Sequence, residues 1–448
     1  MKELPLFSSK TQNQIAKQVL LAFLVAIFIG SLVLLVPQMT ASGQISYIDA
    51  LFTSTSAICV TGLIVQDTPT YFTDLGKTVI LILIQLGGLG IMTVGSIFGL
   101  ILGRKISIRD KFYLTSSFGR QQSFSTYKFF MLIASVTFAF EFIGFLLMSS
   151  VLYFKYSYPI KSALTFSGFH SISAFNNAGF SLYSNSLEGF AGDIPINLVV
   201  VGLIIIGGLG FPVISEIITY RRTRQLSLHA KLVLIVSGSL LAFGAIMFFL
   251  LEFRNPDSIG GQNMLTKILA SIFQSVTPRT AGFNTISMAK LNPATLFFII
   301  ILMFIGASPG STGGGIKTTT FAVVTAGSLS TLRGREQVTL FKRRIPNQLI
   351  RRALTITITV IVLVIFSTIG ILILEKCTLV EAIFEVISAF GTVGLSTGIT
   401  FSLSVGSKII LILCMFIGRI GISTLSVAIA IRGTRDKIVY PEETVTIG

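Results

Sequence analysis

The chain has 448 residues, 52% of them hydrophobic and only 12% charged, with a mean hydropathy of +0.84. Soluble domains carry about a quarter of their residues as charges, so an ordinary water-soluble globule is excluded. The net charge of +16 and an isoelectric point near 9.9 argue for nucleic acid only if a membrane topology does not already place the basic residues.

A spanning helix needs about 20 mostly apolar residues. Eight stretches meet or approach that length, roughly 18–36, 77–102, 129–153, 195–219, 230–252, 294–328, 353–374 and 407–431. The fold class expected is an all-α integral membrane domain. The first stretch is longer than a signal-peptide core and lacks a clean small-residue cleavage site, so it is read as retained. Loops on the even side carry 24 of the 34 Lys and Arg residues, whereas the opposite loops carry nine, against ten acidic residues. By the positive-inside rule both termini are cytosolic. The charge is then explained by topology, and nucleic-acid binding loses its support.

Between each odd span and the even span after it lies a half-apolar segment too short to cross the bilayer. Aligned on one glycine, the four read Ser56-Ala57-Ile58-Cys59-Val60-Thr61-Gly62-Leu63, Ser173-Ala174-Phe175-Asn176-Asn177-Ala178-Gly179-Phe180, Val276-Thr277-Pro278-Arg279-Thr280-Ala281-Gly282-Phe283 and Ser388-Ala389-Phe390-Gly391-Thr392-Val393-Gly394-Leu395. A second glycine follows each at a nearly fixed offset, namely Gly87, Gly207, Gly306 and Gly418. Two landmarks in register predict four copies of helix, re-entrant hairpin and helix with pseudo-fourfold symmetry around one pore. The expected units are 18–102, 129–219, 230–328 and 353–431. Segments 1–17, 103–128, 220–229, 329–352 and 432–448 are cytosolic connections and ends.

Non-helical backbone cannot face lipid, so four such segments around an axis must line protein or water. Glycine accepts positive φ and lets successive carbonyls turn one way. A ring of carbonyl oxygens can replace the hydration shell of a monovalent cation. The candidate filter is therefore Val60, Thr61 and Gly62 with Asn177, Ala178 and Gly179, Thr280, Ala281 and Gly282, and Thr392, Val393 and Gly394. Acidic rings are absent from these positions, which argues against divalent selectivity of the carboxylate type. A short helix-like run precedes each hairpin, such as those at 47–52 and 379–384. Their C-terminal dipole ends would point toward the bilayer centre and favour a cation.

The sixth stretch is interrupted by Ser308-Pro309-Gly310-Ser311-Thr312-Gly313-Gly314-Gly315, which breaks a helix. A phosphate-binding loop is rejected because Ile316 stands where its lysine belongs and no strand precedes it. With Gly306, this run is read as a flexible intramembrane gate loop, 306–317, below the filter. Arg419 lies within the last span, where a charge is costly and marks a functional site by default. It is expected to contact polar groups of 308–315 and to raise an electrostatic barrier to cations. Cys59, Cys377 and Cys414 share no metal or redox spacing, and His170 and His229 are isolated.

The hairpins Ser-Ala-Phe-Asn-Asn-Ala-Gly-Phe and Thr-Pro-Arg-Thr-Ala-Gly-Phe-Asn, and Met303-Phe304-Ile305-Gly306-Ala307 leading to Gly315-Ile316-Lys317, carry a family resemblance. Over nearly its whole length the chain resembles the membrane subunit of bacterial Ktr potassium-uptake systems, in the Trk/Ktr/HKT superfamily. The resemblance implies K+ held by filter carbonyls, often with sodium dependence, a homodimer with one pore per subunit, and a gate in the third repeat. It also implies a cytosolic octameric ring of nucleotide-binding regulatory subunits of the KtrA/KtrC type that responds to ATP and ADP. No cofactor is expected on this chain, which carries no dinucleotide fingerprint. In the family the acidic tail 440–448 contributes to the dimer contact. Cys59 departs mildly from the expected first filter segment. Two other readings are weaker. A secondary carrier for an organic solute also uses broken helices, but carriers usually show two repeats. An enzyme would need a reactive cluster that the sequence lacks.

Overall fold

The structure, a computed structural model, describes residues 9–90, 93, 126–335, 337–422, 424 and 425. The expected N-terminal segment before residue 9, most of the loop 103–128, much of 91–102 and the tail 432–448 lie outside the described residues.

Among the described residues, four helices are long and apolar enough to cross a membrane: α1 (Ser9–Leu34), α4 (Thr126–Phe154), α8 (Leu228–Glu252) and α12 (Asn347–Leu374). Each is followed by a shorter helix, respectively α2 (Tyr47–Ile58), α5 (Ile160–Phe175), α9 (Met264–Val276) and α13 (Leu379–Gly391). Local capping starts three of these. The side chains of Ser46, Asn263 and Thr378 accept the amides of Asp49, Thr266 and Glu381, and Glu381 returns the bond to complete a capping box,. A third helix then follows in each unit: α3 (Asp74–Leu89), α6 (Ile194–Leu209), α10 (Pro293–Phe304) and α14 (Val405–Ile420).

Three of these third helices correct the expectation of continuous even spans. The stretch 195–219 breaks at Gly210, φ +92°, and α7 (Phe211–Thr223) leaves at 99° to α6, so the bent pair counts at most as a fifth span. Likewise α3 stops at Gly90 and α14 at Gly421, at φ +81° and +82°. Left-handed backbone cannot continue a right-handed helix, and only glycine takes it without strain. The sixth stretch ends at Phe304 and resumes as α11 (Thr318–Leu332). Between them Ile305 and Ile316 form a parallel bridge that pinches loop 306–317 at its base. In the basic connection 329–352, β1 (Thr339–Leu340) pairs antiparallel with β2 (Arg343–Arg344).

The four short helices and the segments after them form the buried centre. Phe52, Phe175, Phe180, Phe273, Phe283 and Phe384 are fully buried there, while Phe28, Phe142 and Phe366 on the long helices face outward. Apolar side chains on the outside and a packed apolar interior suit a protein surrounded by lipid rather than water.

Candidate ion pathway

The C-terminal ends of α2, α5, α9 and α13 run into four segments with the same backbone signature. The aligned glycines Gly62, Gly179, Gly282 and Gly394 have φ of +95°, +70°, +77° and +91°. The residues two positions earlier, Val60, Asn177, Thr280 and Thr392, are also left-handed, at +55°, +58°, +76° and +49°. Three of these are β-branched, a class for which such a conformation is an outlier costing about 1–3 kcal/mol. Positive φ is expected at the glycines, and the second left-handed position in each segment carries no signal in the sequence.

The glycines also lie against one another. A Cβ on Gly62 would stand 2.5 Å from the carbonyl oxygen of Ala178 and 3.0 Å from the Cα of Gly179. One on Gly179 would stand 2.9 Å from the Ala281 oxygen, and one on Gly282 2.5 Å from the Val393 oxygen. One on Gly394 would collide with the Thr61 oxygen, 2.9 Å from the Gly62 Cα. The contacts therefore close a ring in chain order, with the carbonyl of the residue before each glycine reaching the glycine of the preceding unit. Glycine is needed twice at these positions, for φ and for the close approach.

Hydroxyl groups brace the ring from behind. The amides of Gly62 and Gly394 donate to Ser56 Oγ and Ser388 Oγ, both at 3.1 Å. Ser173 Oγ donates to the Phe180 carbonyl at 2.8 Å, and Thr277 Oγ1 to the Phe283 carbonyl at 2.5 Å. Three of these residues stand six before their glycine, a register visible in the alignment. The Cys59 side chain is fully buried at the end of α2.

The second set of glycines packs against the ends of the short helices. A Cβ on Gly87, Gly207 or Gly418 would collide with the carbonyl oxygen of Ile58, Phe175 or Phe390. In the third unit Gly306 meets the Gly314 carbonyl instead, because loop 306–317 fills that place. The structure brings all the expected gate residues together and fastens them. The amides of Ser308 and Thr312 donate to the carbonyls of Gly208 and Gly207 at 3.1 and 3.3 Å, and the Phe211 amide donates to the Gly310 carbonyl at 2.9 Å. Pro309 contributes its carbonyl beside Gly210. Ser308 Oγ accepts from Thr318 Oγ1 at 3.1 Å, and Ser311 Oγ donates to the Ser308 carbonyl at 2.7 Å. A Cβ on Gly313 would collide with Thr280 Oγ1, and the Gly314 amide donates to Thr392 Oγ1 at 2.9 Å. Gly315, at φ +70°, lies against Gly391.

Arg419 donates from one guanidinium nitrogen to the Thr312 carbonyl and from another to the Gly87 carbonyl, with Gly88 at 3.4 Å. Loop 306–317 thus touches the third and fourth candidate filter segments and the end of α6 in the second unit, and Arg419 ties it to the first unit. Lys317, which has no assigned role in the sequence, donates from Nζ to the Gly313 carbonyl at 2.7 Å. Two cationic side chains therefore bracket the loop.

Away from the ring, polar contacts join neighbouring units. Ser184 Oγ donates to Asp67 at 2.9 Å, Asn284 Nδ2 to Glu188 at 2.8 Å, and Lys408 Nζ to Asp49 at 2.7 Å. Within the second unit Asp193 caps α6 through the Ile196 amide, at 2.8 Å, and accepts from Lys155 Nζ and Tyr156 OH at 2.5 and 2.8 Å. Burial works against its charge, yet the Lys155 ammonium, the Ile196 amide and the Tyr156 hydroxyl together hold its carboxyl below the usual carboxylate range,. A depressed carboxylate contributes stability above its unfolded pKa of about 4 and loses it as pH falls through the folded value. The melting temperature of Asp193→Asn in detergent is expected below that of the parent at pH 7, with the gap closing as pH drops toward 3. A gap that persists unchanged at acid pH would show that Asp193 stabilises without its charge.

The family model described as "TrkH: Cation transport protein" matches residues 5–440. The chain is similar to the Ktr system potassium uptake protein B of Bacillus subtilis, 40% identical over 96% of this chain and 95% of that one. It is 38% identical to the protein of the same name from Vibrio alginolyticus, over 96% and 94%. Its fold matches the crystal structure of the potassium transporter TrkH from Vibrio parahaemolyticus with a TM-score of 0.71 and 20% identity, covering 96% of this chain and 86% of that one. A membrane protein built around a ring of glycine-bearing segments, this chain belongs to the TrkH family of cation transport proteins.

Proposed function

We propose that the protein takes up K+ across the bacterial plasma membrane through the four segments ending at Gly62, Gly179, Gly282 and Gly394. The observation that supports this most is the closure of four glycines and the carbonyls of Thr61, Ala178, Ala281 and Val393 into one ring. Such oxygens can substitute for the water around a monovalent cation without a fixed negative charge. The negative ends of α2, α5, α9 and α13 converge on the ring and add to its cation preference. The reading takes the short helices as re-entrant, the four units as pseudo-fourfold repeats with eight membrane-crossing elements, and both termini as cytosolic.

Loop 306–317 then lies on the cytosolic side of the ring and obstructs the path, with Arg419 holding it and repelling cations. Transport is influenced by sodium, and the protein works as a homodimer with one pore per subunit. Opening is controlled by a cytosolic octameric ring of nucleotide-binding subunits, since the relatives named for a Ktr system point to a partner on a separate chain. One glycine per segment gives fewer ion sites than a potassium channel, so selectivity is moderate.

The test is uptake of K+, Rb+ and Na+ into liposomes containing the purified protein, alone and with a nucleotide-loaded regulatory partner. Greater permeation by K+ and Rb+ than by Na+ is expected. Equal permeation by all three would overturn the filter, and flux of none of them even with the partner would point to a carrier.

A further inference from the structure

Glu141, in the middle of α4, is a carboxylate buried at the level of the filter, 6% exposed, and it forms no ion pair among the described residues. Its two oxygens each accept from an amide. Oε1 accepts from Asn176 Nδ2 at 2.9 Å and Oε2 from Gln85 Nε2 at 3.3 Å, while Asn176 Nδ2 also reaches Gln85 Oε1 at 2.9 Å. The three side chains close a triangle joining α4, the last turns of α3 and the end of α5. The Glu141 backbone carbonyl adds a bond from Ser171 Oγ of α5 at 2.6 Å.

The placement of the triangle gives it a consequence. Asn176 directly precedes Asn177, the left-handed residue of the second filter segment, and its own amide closes the last turn of α5 on the Ile172 carbonyl. Asn176 Nδ2 also reaches the Ile172 carbonyl at 2.9 Å, so turning the amide over would set its oxygen against three acceptors. Its Oδ1 packs on Gly88, where no Cβ would fit. Gln85 stands two residues before Gly87, whose carbonyl receives Arg419. Both ends of the triangle thus belong to the ion pathway.

Resting on the filter reading above, we propose that Glu141 is a positioning residue for ion selectivity. It fixes Asn176, and through it the left-handed turn at Asn177 that presents the carbonyls of the second segment. Only a side chain that accepts on both oxygens completes the triangle around one Asn and one Gln, because an amide in place of the Glu141 carboxylate leaves one N–H facing another. The arrangement also predicts a compensating exchange. When Glu141→Gln is combined with Gln85→Glu, Asn176 still has two acceptors, and the amide introduced on α4 has a carboxylate oxygen on α3 to donate to. Every bond of the triangle is then retained with the charge moved to the neighbouring helix.

The experiment compares the parent, Glu141→Gln, the exchange Glu141→Gln with Gln85→Glu, and Gly179→Ser for K+ and Na+ uptake into liposomes, with melting temperature as the folding control. Glu141→Gln is expected to lower the K+/Na+ uptake ratio by about fivefold, the scale of one lost hydrogen bond, and the exchange to restore it. A structural role confined to stability would move the melting temperature and leave the ratio of the folded protein unchanged. Parental selectivity in Glu141→Gln, or an exchange variant that folds without regaining selectivity, overturns the inference. If Glu141→Gln does not fold, the exchange alone decides, and its own failure to fold also counts against the triangle. Should Gly179→Ser change selectivity while Glu141→Gln does not, the filter stands and this inference falls. If neither changes it, the filter reading itself has failed.

Discussion

Gly282→Ser is expected to lower the K+/Na+ uptake ratio by roughly tenfold or more, a loss of about 1.4 kcal/mol of discrimination. Two costs meet at this position. A side chain at φ +77° adds about 1–2 kcal/mol of backbone strain,. Its Cβ would also stand 2.5 Å from the Val393 oxygen and 3.0 Å from the Gly179 Cα, with backbone rather than flexible side chains on both sides. Relief requires the second or fourth segment to shift, and either shift widens the ring. A looser ring discriminates less between ions that differ in size and hydration, so Na+ uptake should rise relative to K+. Gly238→Ser in α8 is the control, since a Cβ there meets nothing within 4 Å. Uptake ratios in liposomes check the pair, and an unchanged ratio in Gly282→Ser would place selectivity elsewhere.

Arg419→Gln is expected to raise K+ uptake about tenfold while the K+/Na+ ratio stays near that of the parent. At roughly 10 Å from a passing ion and an effective dielectric of about 20, a unit charge adds ~1.7 kcal/mol to the barrier. The substitution removes that charge and weakens the bonds to Thr312 and Gly87 that hold the loop across to the first unit. Those bonds end on the loop and on α3, not on the four glycine segments, hence the unchanged ratio. Initial rates of radioactive rubidium uptake at fixed gradient measure the effect. Slower uptake, or a fall in selectivity, would show that Arg419 shapes the path instead of obstructing it.

The ring was legible in the sequence because four glycines share a register and each has short uncharged neighbours. The left-handed turns at Val60, Thr280 and Thr392 were not, since β-branched residues resist that conformation and only surrounding contacts impose it. The break at Gly210 was hidden for a related reason. The run Gly207-Gly208-Leu209-Gly210 sits in an apolar stretch and reads as close helix packing, and only the loop bonds at Gly207, Gly208 and Phe211 show why the helix ends there. Loop 306–317 was visible from its Pro and Gly content, whereas its fastening to α6 depends on residues about a hundred positions away. The same holds for Glu141, which could be noted as an intramembrane charge but whose partners lie 35 and 56 residues distant. Arg419 could be singled out by cost alone, and a contact with polar groups of 308–315, though not with Thr312 in particular, was expected from depth.

The last contact of the ring, between Gly394 and Gly62, joins the two ends of the folded unit. During synthesis the segment ending at Gly62 has no neighbour on one side until the segment ending at Gly394 has left the ribosome. A chain stopped before residue 394 therefore cannot close the ring. Because all four segments are on one chain, closure is an intramolecular event whose yield does not depend on protein concentration. Each segment can also carry its own residues, as Thr61, Ala178, Ala281 and Val393 show, which a ring of identical subunits cannot do.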